Sequence, residues 1–65
     1  MIGSGEYNFY SNKTGYTTQY ITEVEPSDIN EMKDEYITSL DICGGIWHIY
    51  RLPSGDFVGY FELDI

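Results

Sequence analysis

The stretch Ser27-Asp28-Ile29-Asn30-Glu31-Met32-Lys33-Asp34-Glu35-Tyr36-Ile37-Thr38-Ser39-Leu40 settles the fold class, because the segments on either side of it share a single reading. Its apolar residues Ile29, Met32, Tyr36, Ile37 and Leu40 recur at intervals of three, four, one and three, which puts them on one stripe of an α-helix. Pro26 stops the segment before it. Ser27 is a good N-cap, since its hydroxyl accepts a hydrogen bond from a free backbone N–H. Asp28 and Glu31 fall in the first turn, where the helix dipole favours negative charge. A helix is therefore expected over residues 28–40.

Working outward, residues 6–11 and 16–24 are rich in aromatic and β-branched side chains, as are residues 46–52 and 57–63, so each reads as a strand. Asn12-Lys13-Thr14-Gly15 joins the first pair, and Pro53-Ser54-Gly55 joins the second with proline and glycine where a turn followed by a bulge needs them. Gly44-Gly45 ends the helix, and Gly3-Ser4-Gly5 reads as part of a flexible start over residues 1–5. The expected architecture is α+β: one domain over residues 1–65, ordered ββαββ, with an antiparallel sheet of two hairpins and one helix packed on one face.

Three-residue hairpin loops set Asn12 opposite Tyr16 and Leu52 opposite Asp56, and opposed residues share a sheet face. Trp47, Ile49, Phe57, Phe61 and Leu63, with Gly59 among them, then make an apolar bed for the helix, joined by Tyr7, Phe9 and Ile21. Gly59 is expected to admit the helix closely. The other face collects Tyr10, Tyr16, Tyr20, Tyr50 and Tyr60 with Ile46, His48, Leu52 and Val58. One face of an open sheet normally turns polar. A face rich in tyrosine, which joins a large apolar body to a polar tip, has the composition of a protein interface. Tyr10, Tyr16, Tyr20, His48, Tyr50 and Tyr60 are accordingly expected to meet a target protein or a second copy of the chain.

Eleven acidic residues face only Lys13, Lys33 and Arg51, a net charge of −8 on 65 residues. That balance repels nucleic acid and anionic membranes and leaves no basic footprint for phosphate. Eleven aromatic residues and a 42% apolar share argue against disorder despite the charge. On the expected helix Asp28, Glu31, Asp34 and Glu35 stand on neighbouring turns about 5–6 Å apart, a row comparable in charge and spacing to the phosphates of a nucleic-acid strand. Asp41, Asp56, Glu62 and Asp64 would widen that acidic surface.

Catalytic signals are missing from the sequence. His48 is the only histidine, and no nucleophile or orienting carboxylate is placed beside it by spacing. Cys43 is the only cysteine, which excludes an internal disulfide and fits a small buried apolar residue. Neither glycine cluster has the continuation of a phosphate loop. No metal, cofactor or enzymatic activity is expected. No basic start followed by an apolar run is present, nor an apolar stretch approaching the roughly 18 residues of a membrane helix, so a cytoplasmic location is expected. Size, charge and the lack of catalytic groups together describe the behaviour of small acidic inhibitors, often phage-encoded, that act in the host cytoplasm. Such proteins occupy the nucleic-acid-binding surface of a host enzyme or defence protein. The alternative is a self-assembling module that dimerises through the tyrosine-rich face.

Overall fold

The computed structural model describes residues 3–42 and 44–63, so the expectations for Cys43 and Asp64 lie outside the described residues. Five strands follow in order: β1 (Gly5–Ser11), β2 (Gly15–Glu23), β3 (Glu35–Ile42), β4 (Gly45–Arg51) and β5 (Phe57–Leu63), with a 3-10 turn at Pro26–Asp28. They form one sheet in the spatial order β1-β2-β5-β4-β3. Gly5, expected in the flexible start, opens β1.

The α+β expectation is corrected: among the described residues there is no α-helix. Proline suits the first position of the 3-10 turn, but Ile29 is already extended, at φ −85° and ψ 126°. Asn30 and Asp34 then satisfy local backbone groups themselves. Asp34 Oδ2 accepts from the Asn30 N–H at 2.9 Å, and Asn30 Oδ1 accepts from the Met32 N–H at 3.0 Å. Such side-chain bonds offer the backbone an alternative to a helical ladder. Met32, expected on the buried stripe, is 96% exposed.

The second half of the expected helix is β3. Tyr36 pairs with Tyr50 and Thr38 with Ile49, so Ile37 is the extra residue of a β-bulge. The bulge lengthens one side-chain interval from two to three. Ile37 and Leu40 therefore both turn to the core while standing three apart in sequence, and Ile42 follows at the normal interval. That irregular strand spacing accounts for the last interval of the apparent helical stripe; Ile29 and Met32 precede β3, and Tyr36 faces outward opposite Tyr50.

Without a helix, the sheet has no second layer to cover its apolar face, and it curls into a half-barrel around that face. Phe9, Ile21, Ile37, Trp47 and Ile49 form the buried core, with Tyr7, Leu40, Ile42, Phe57 and Phe61 packed at its margin. Each fully buried large apolar side chain contributes roughly 1.5–3 kcal/mol. The second hairpin has the expected register, Arg51 opposite Phe57, with the Leu52 N–H bonded to Asp56 O at 2.8 Å and Gly55 at φ 97°. In the first hairpin Tyr10 faces Tyr16, where Asn12 was expected. The difference is an even number of residues, so every side chain keeps its face.

The sheet is also mixed where an antiparallel one was expected. β2 and β5 run parallel through Ile21–Phe57, Thr22–Val58 and Glu23–Gly59, and the Val24 N–H bonds to Gly59 O at 2.8 Å. Curling brings the edge strands β1 and β3 together at one end. There the Ser11 hydroxyl donates to Ile37 O at 2.9 Å and Lys13 Nζ to Tyr36 O at 2.8 Å.

Close approach at Gly59 does occur, but to the sheet's own tryptophan. A Cβ there would lie 3.0 Å from Trp47 Cζ2, 3.1 Å from Ile21 Cγ2 and 2.9 Å from His48 O. Trp47 is fully buried, its ring lies 5.4 Å from that of Tyr7 at a tilt of 37°, and its Nε1–H has no acceptor among the described residues. Gly59→Ala is expected to destabilise the protein by about 1–3 kcal/mol, the usual range for overpacking, read as a lower urea midpoint. An unchanged midpoint would mean that Trp47 does not rest on Gly59.

Candidate functional site

The convex side of β3, β4 and β5 carries a connected aromatic and polar group. Register sets Tyr36 opposite Tyr50, Ser39 opposite His48, and His48 opposite Tyr60; such cross-strand pairs are the unit of sheet stabilisation. His48 stacks on Tyr60 at 4.8 Å and 27°, Tyr60 lies near-parallel to Tyr50 at 6.2 Å, and Tyr50 meets Tyr36 edge-on at 5.5 Å. A hydrogen-bonded chain ties the rings down. Tyr36 Oη bonds to Ser39 Oγ at 2.7 Å, Ser39 Oγ to His48 Nδ1 at 3.2 Å, and His48 Nε2 to Glu62 Oε1 at 3.0 Å.

Sequence spacing placed neither a hydroxyl nor a carboxylate beside His48, and the fold supplies both. Glu62 was legible once the second hairpin's register was set, because it lies on the same face as Tyr60 and diagonal to His48. Ser39 and Tyr36 were hidden by their assignment to a helix. Serine, histidine and carboxylate in sequence along one chain resemble a hydrolytic relay, but catalysis of that kind relies on oxyanion donors in a water-excluded site. Here the group stands on a convex sheet face, with the Glu62 side chain 66% exposed. The hydrogen-bonded chain holds Tyr36 at one end and the His48 ring, stacked on Tyr60, further along.

Tyr10, Tyr16 and Tyr20 lie on the outer side of the first hairpin, 51%, 89% and 59% exposed. Tyr10 and Tyr16 contact each other at 5.0 Å, and among the described residues no ring contact joins them to the Tyr36–Tyr50–Tyr60 group. The expected tyrosine face is thus two patches.

The row of carboxylates expected on a helix is dispersed. Asp28 Oδ2 accepts from the Glu25 N–H at 3.0 Å, Asp34 bonds to Asn30, and Glu31 lies in the turn before β3. Glu35 belongs to the barrel seam: Arg51 donates to Glu35 Oε1 from Nη2 at 2.7 Å and from Nε at 3.2 Å, and Lys13 Nζ stands 3.8 Å from Oε2. A different acidic grouping appears beside Tyr60. There Glu23, Glu25 and Asp28 border an open cleft of about 400 Å³, together with Val24, Pro26 and Phe61. Residues 24–34 cross from β2 to the far edge strand β3 and bring Glu31 toward Tyr50. Burial, then the neighbouring Tyr60 and the Glu31 charge, push the Tyr50 hydroxyl above its ordinary pKa.

Two of the three basic residues, Lys13 and Arg51, converge on Glu35. Lys33 is the only basic residue outside this cluster, against ten other acidic residues. The hydrogen bond from Arg51 is the main cause that holds the Glu35 carboxyl below the usual carboxylate range; desolvation opposes it, and the charges of Arg51 and Lys13 assist. Among the described residues no group of three or more His, Cys, Asp or Glu is arranged to hold a metal, and no helix is long and apolar enough to cross a membrane. Comparison with protein families, curated proteins and solved structures finds no match for this chain.

A carboxyl with a depressed folded-state pKa stabilises the fold above its unfolded value, and that contribution is lost as pH falls through the folded value. Glu35→Gln is therefore expected to flatten the dependence of the urea midpoint on pH below about 4.5, where the unchanged protein loses stability as the pH drops. Identical slopes for the two proteins would remove Glu35 from the seam.

Proposed function

We propose that this protein binds a partner protein through the convex face of β3, β4 and β5, and regulates the partner by covering a basic surface on it. One observation carries the reading: a fixed group of aromatic rings is bordered by Glu23, Glu25, Asp28, Glu31 and Glu62, while Lys13 and Arg51 are held on Glu35. Aromatic rings give contact area at low entropic cost, and uncompensated carboxylates steer approach to a positive surface. A nucleic-acid-binding surface on a host enzyme or defence protein fits this chemistry, and we propose that the protein acts in the cytoplasm. Inhibition by occlusion requires no catalytic group. Imitation of a phosphate row is not part of the proposal, since the helix that would have spaced the carboxylates is not formed.

The test is capture of partners from host lysate, then titration of the purified partner at rising salt and in competition with nucleic acid. Screening shortens from about 10 Å at 0.1 M to about 3 Å at 1 M salt, so affinity for a basic partner is expected to fall by about tenfold or more across that range, ~1.4 kcal/mol. Tyr60→Ala and Glu62→Gln should each weaken binding, and nucleic acid should compete. Salt-independent affinity, or recovery of the bait alone with light scattering showing a dimer, would replace this reading with self-assembly.

A further inference from the structure

We infer that the convex face selects arginine side chains, rather than positive charge in general, on the partner surface it covers. This rests on the reading of that face as a site for a basic protein and names the group it takes.

The distinction between the two cations is physical. A guanidinium is planar, stacks on aromatic rings and presents a fork of N–H donors to a carboxylate, whereas an ammonium is a compact, strongly hydrated point charge. A face that offers charge alone treats them alike; a face that offers rings beside carboxylates does not. Here the two elements alternate. Tyr60 has the Glu62 carboxylate two residues along its strand, and it lines the cleft bordered by Glu23, Glu25 and Asp28.

The acceptors are also oriented in advance. Glu62 is held through Oε1 by His48 Nε2, which leaves Oε2 for an incoming donor. Asp28 is held through Oδ2 by the Glu25 N–H, which leaves Oδ1. Fixing a side chain before binding removes part of the ordering cost that a complex otherwise carries. The molecule already holds one arginine in this manner. Arg51 lies 5.6 Å above the Phe57 ring while donating two hydrogen bonds to Glu35. That internal site shows the ring-plus-carboxylate arrangement at work within the same fold, with no cation left over from it to neutralise the convex face.

The experiment uses the full chain and two peptides of equal length and charge, an alternating glycine–arginine octapeptide and its glycine–lysine counterpart. Each is titrated into the isotopically labelled protein at fixed low salt, and backbone amide shifts report both affinity and location. The arginine peptide is expected to bind about fivefold more tightly, with the largest shifts at residues 23–28 and 60–62. Tyr60→Leu should bring the two peptides to the same affinity. Glu62→Gln, which keeps the ring and the fold, should reduce the arginine preference on its own. Equal affinities in the unchanged protein would overturn the arginine inference and leave the basic-surface reading standing. No shift at this face with either peptide would overturn both. An arginine preference located at Tyr10, Tyr16 and Tyr20 instead would overturn the assignment of the site.

Discussion

Three residue pairs between β2 and β5 hold this molecule together as one sheet. Among the described residues they are the only strand pairing between the first hairpin and the other three strands, and they run parallel. Everything inside depends on that junction. It sets Ile21 of the first hairpin against Gly59 and Trp47 of the second, and so joins two apolar hairpin faces that are each too small to be stable alone. A sheet with one apolar face and no covering layer then has a single way to bury it, which is to curl. Gly59 permits the curl by leaving room for Trp47, and the buried indole N–H without an acceptor costs roughly 1–3 kcal/mol against the gain.

Closure at the opposite side is polar and incomplete. β1 and β3 are joined by Ser11 and Lys13 side chains bonded to β3 carbonyls, not by a ladder. Lys13 together with Arg51 also gathers on Glu35. A bulge in an exposed edge strand, such as that at Ile37, is a common protection against edge-to-edge pairing. In this chain the seam has a second consequence. Two of its three basic residues serve the seam, so the convex face keeps its negative charge. Fold and candidate function are thus linked through one carboxylate.

Much of this was legible in the sequence, and the failures have physical causes. Alternation in 46–52 and 57–63, with Pro53 and Gly55 between, defined the second hairpin's register and most of its inner face; Leu63, expected inside, is 64% exposed, Val58, expected outside, is buried, and Trp47 rather than a helix approaches Gly59. The first hairpin kept its faces because its three-residue turn is displaced by one position, to residues 12–14, which shifts the register by an even number. The segment 28–40 failed partly because a bulge at Ile37 inserts one residue into strand alternation, so that Ile37 and Leu40 stand a helical interval of three apart, and partly because Ile29 and Met32 continued that spacing without sharing a buried face. The signals against a helix were present: Asn30 and Asp34 favour local side-chain bonds, and Tyr36, Ile37 and Thr38 favour extended backbone. Parallel pairing of β2 with β5 had no local signature at all, since it joins residues 36 apart in sequence. Of the groups around His48, Ser39 and the Tyr36 bonded to it were lost with β3, because Ser39 reaches His48 only across a strand pair.

Backbone chemical shifts and proton–proton contacts measured by NMR on the labelled chain address the rolled sheet most directly. Extended shifts through residues 35–42, with cross-strand contacts linking Leu40 to Trp47 and Ile21 to Phe57, are the predicted result. Helical shifts with unbroken sequential amide contacts through residues 28–40 would contradict it, and would return the apolar face to a covering helix.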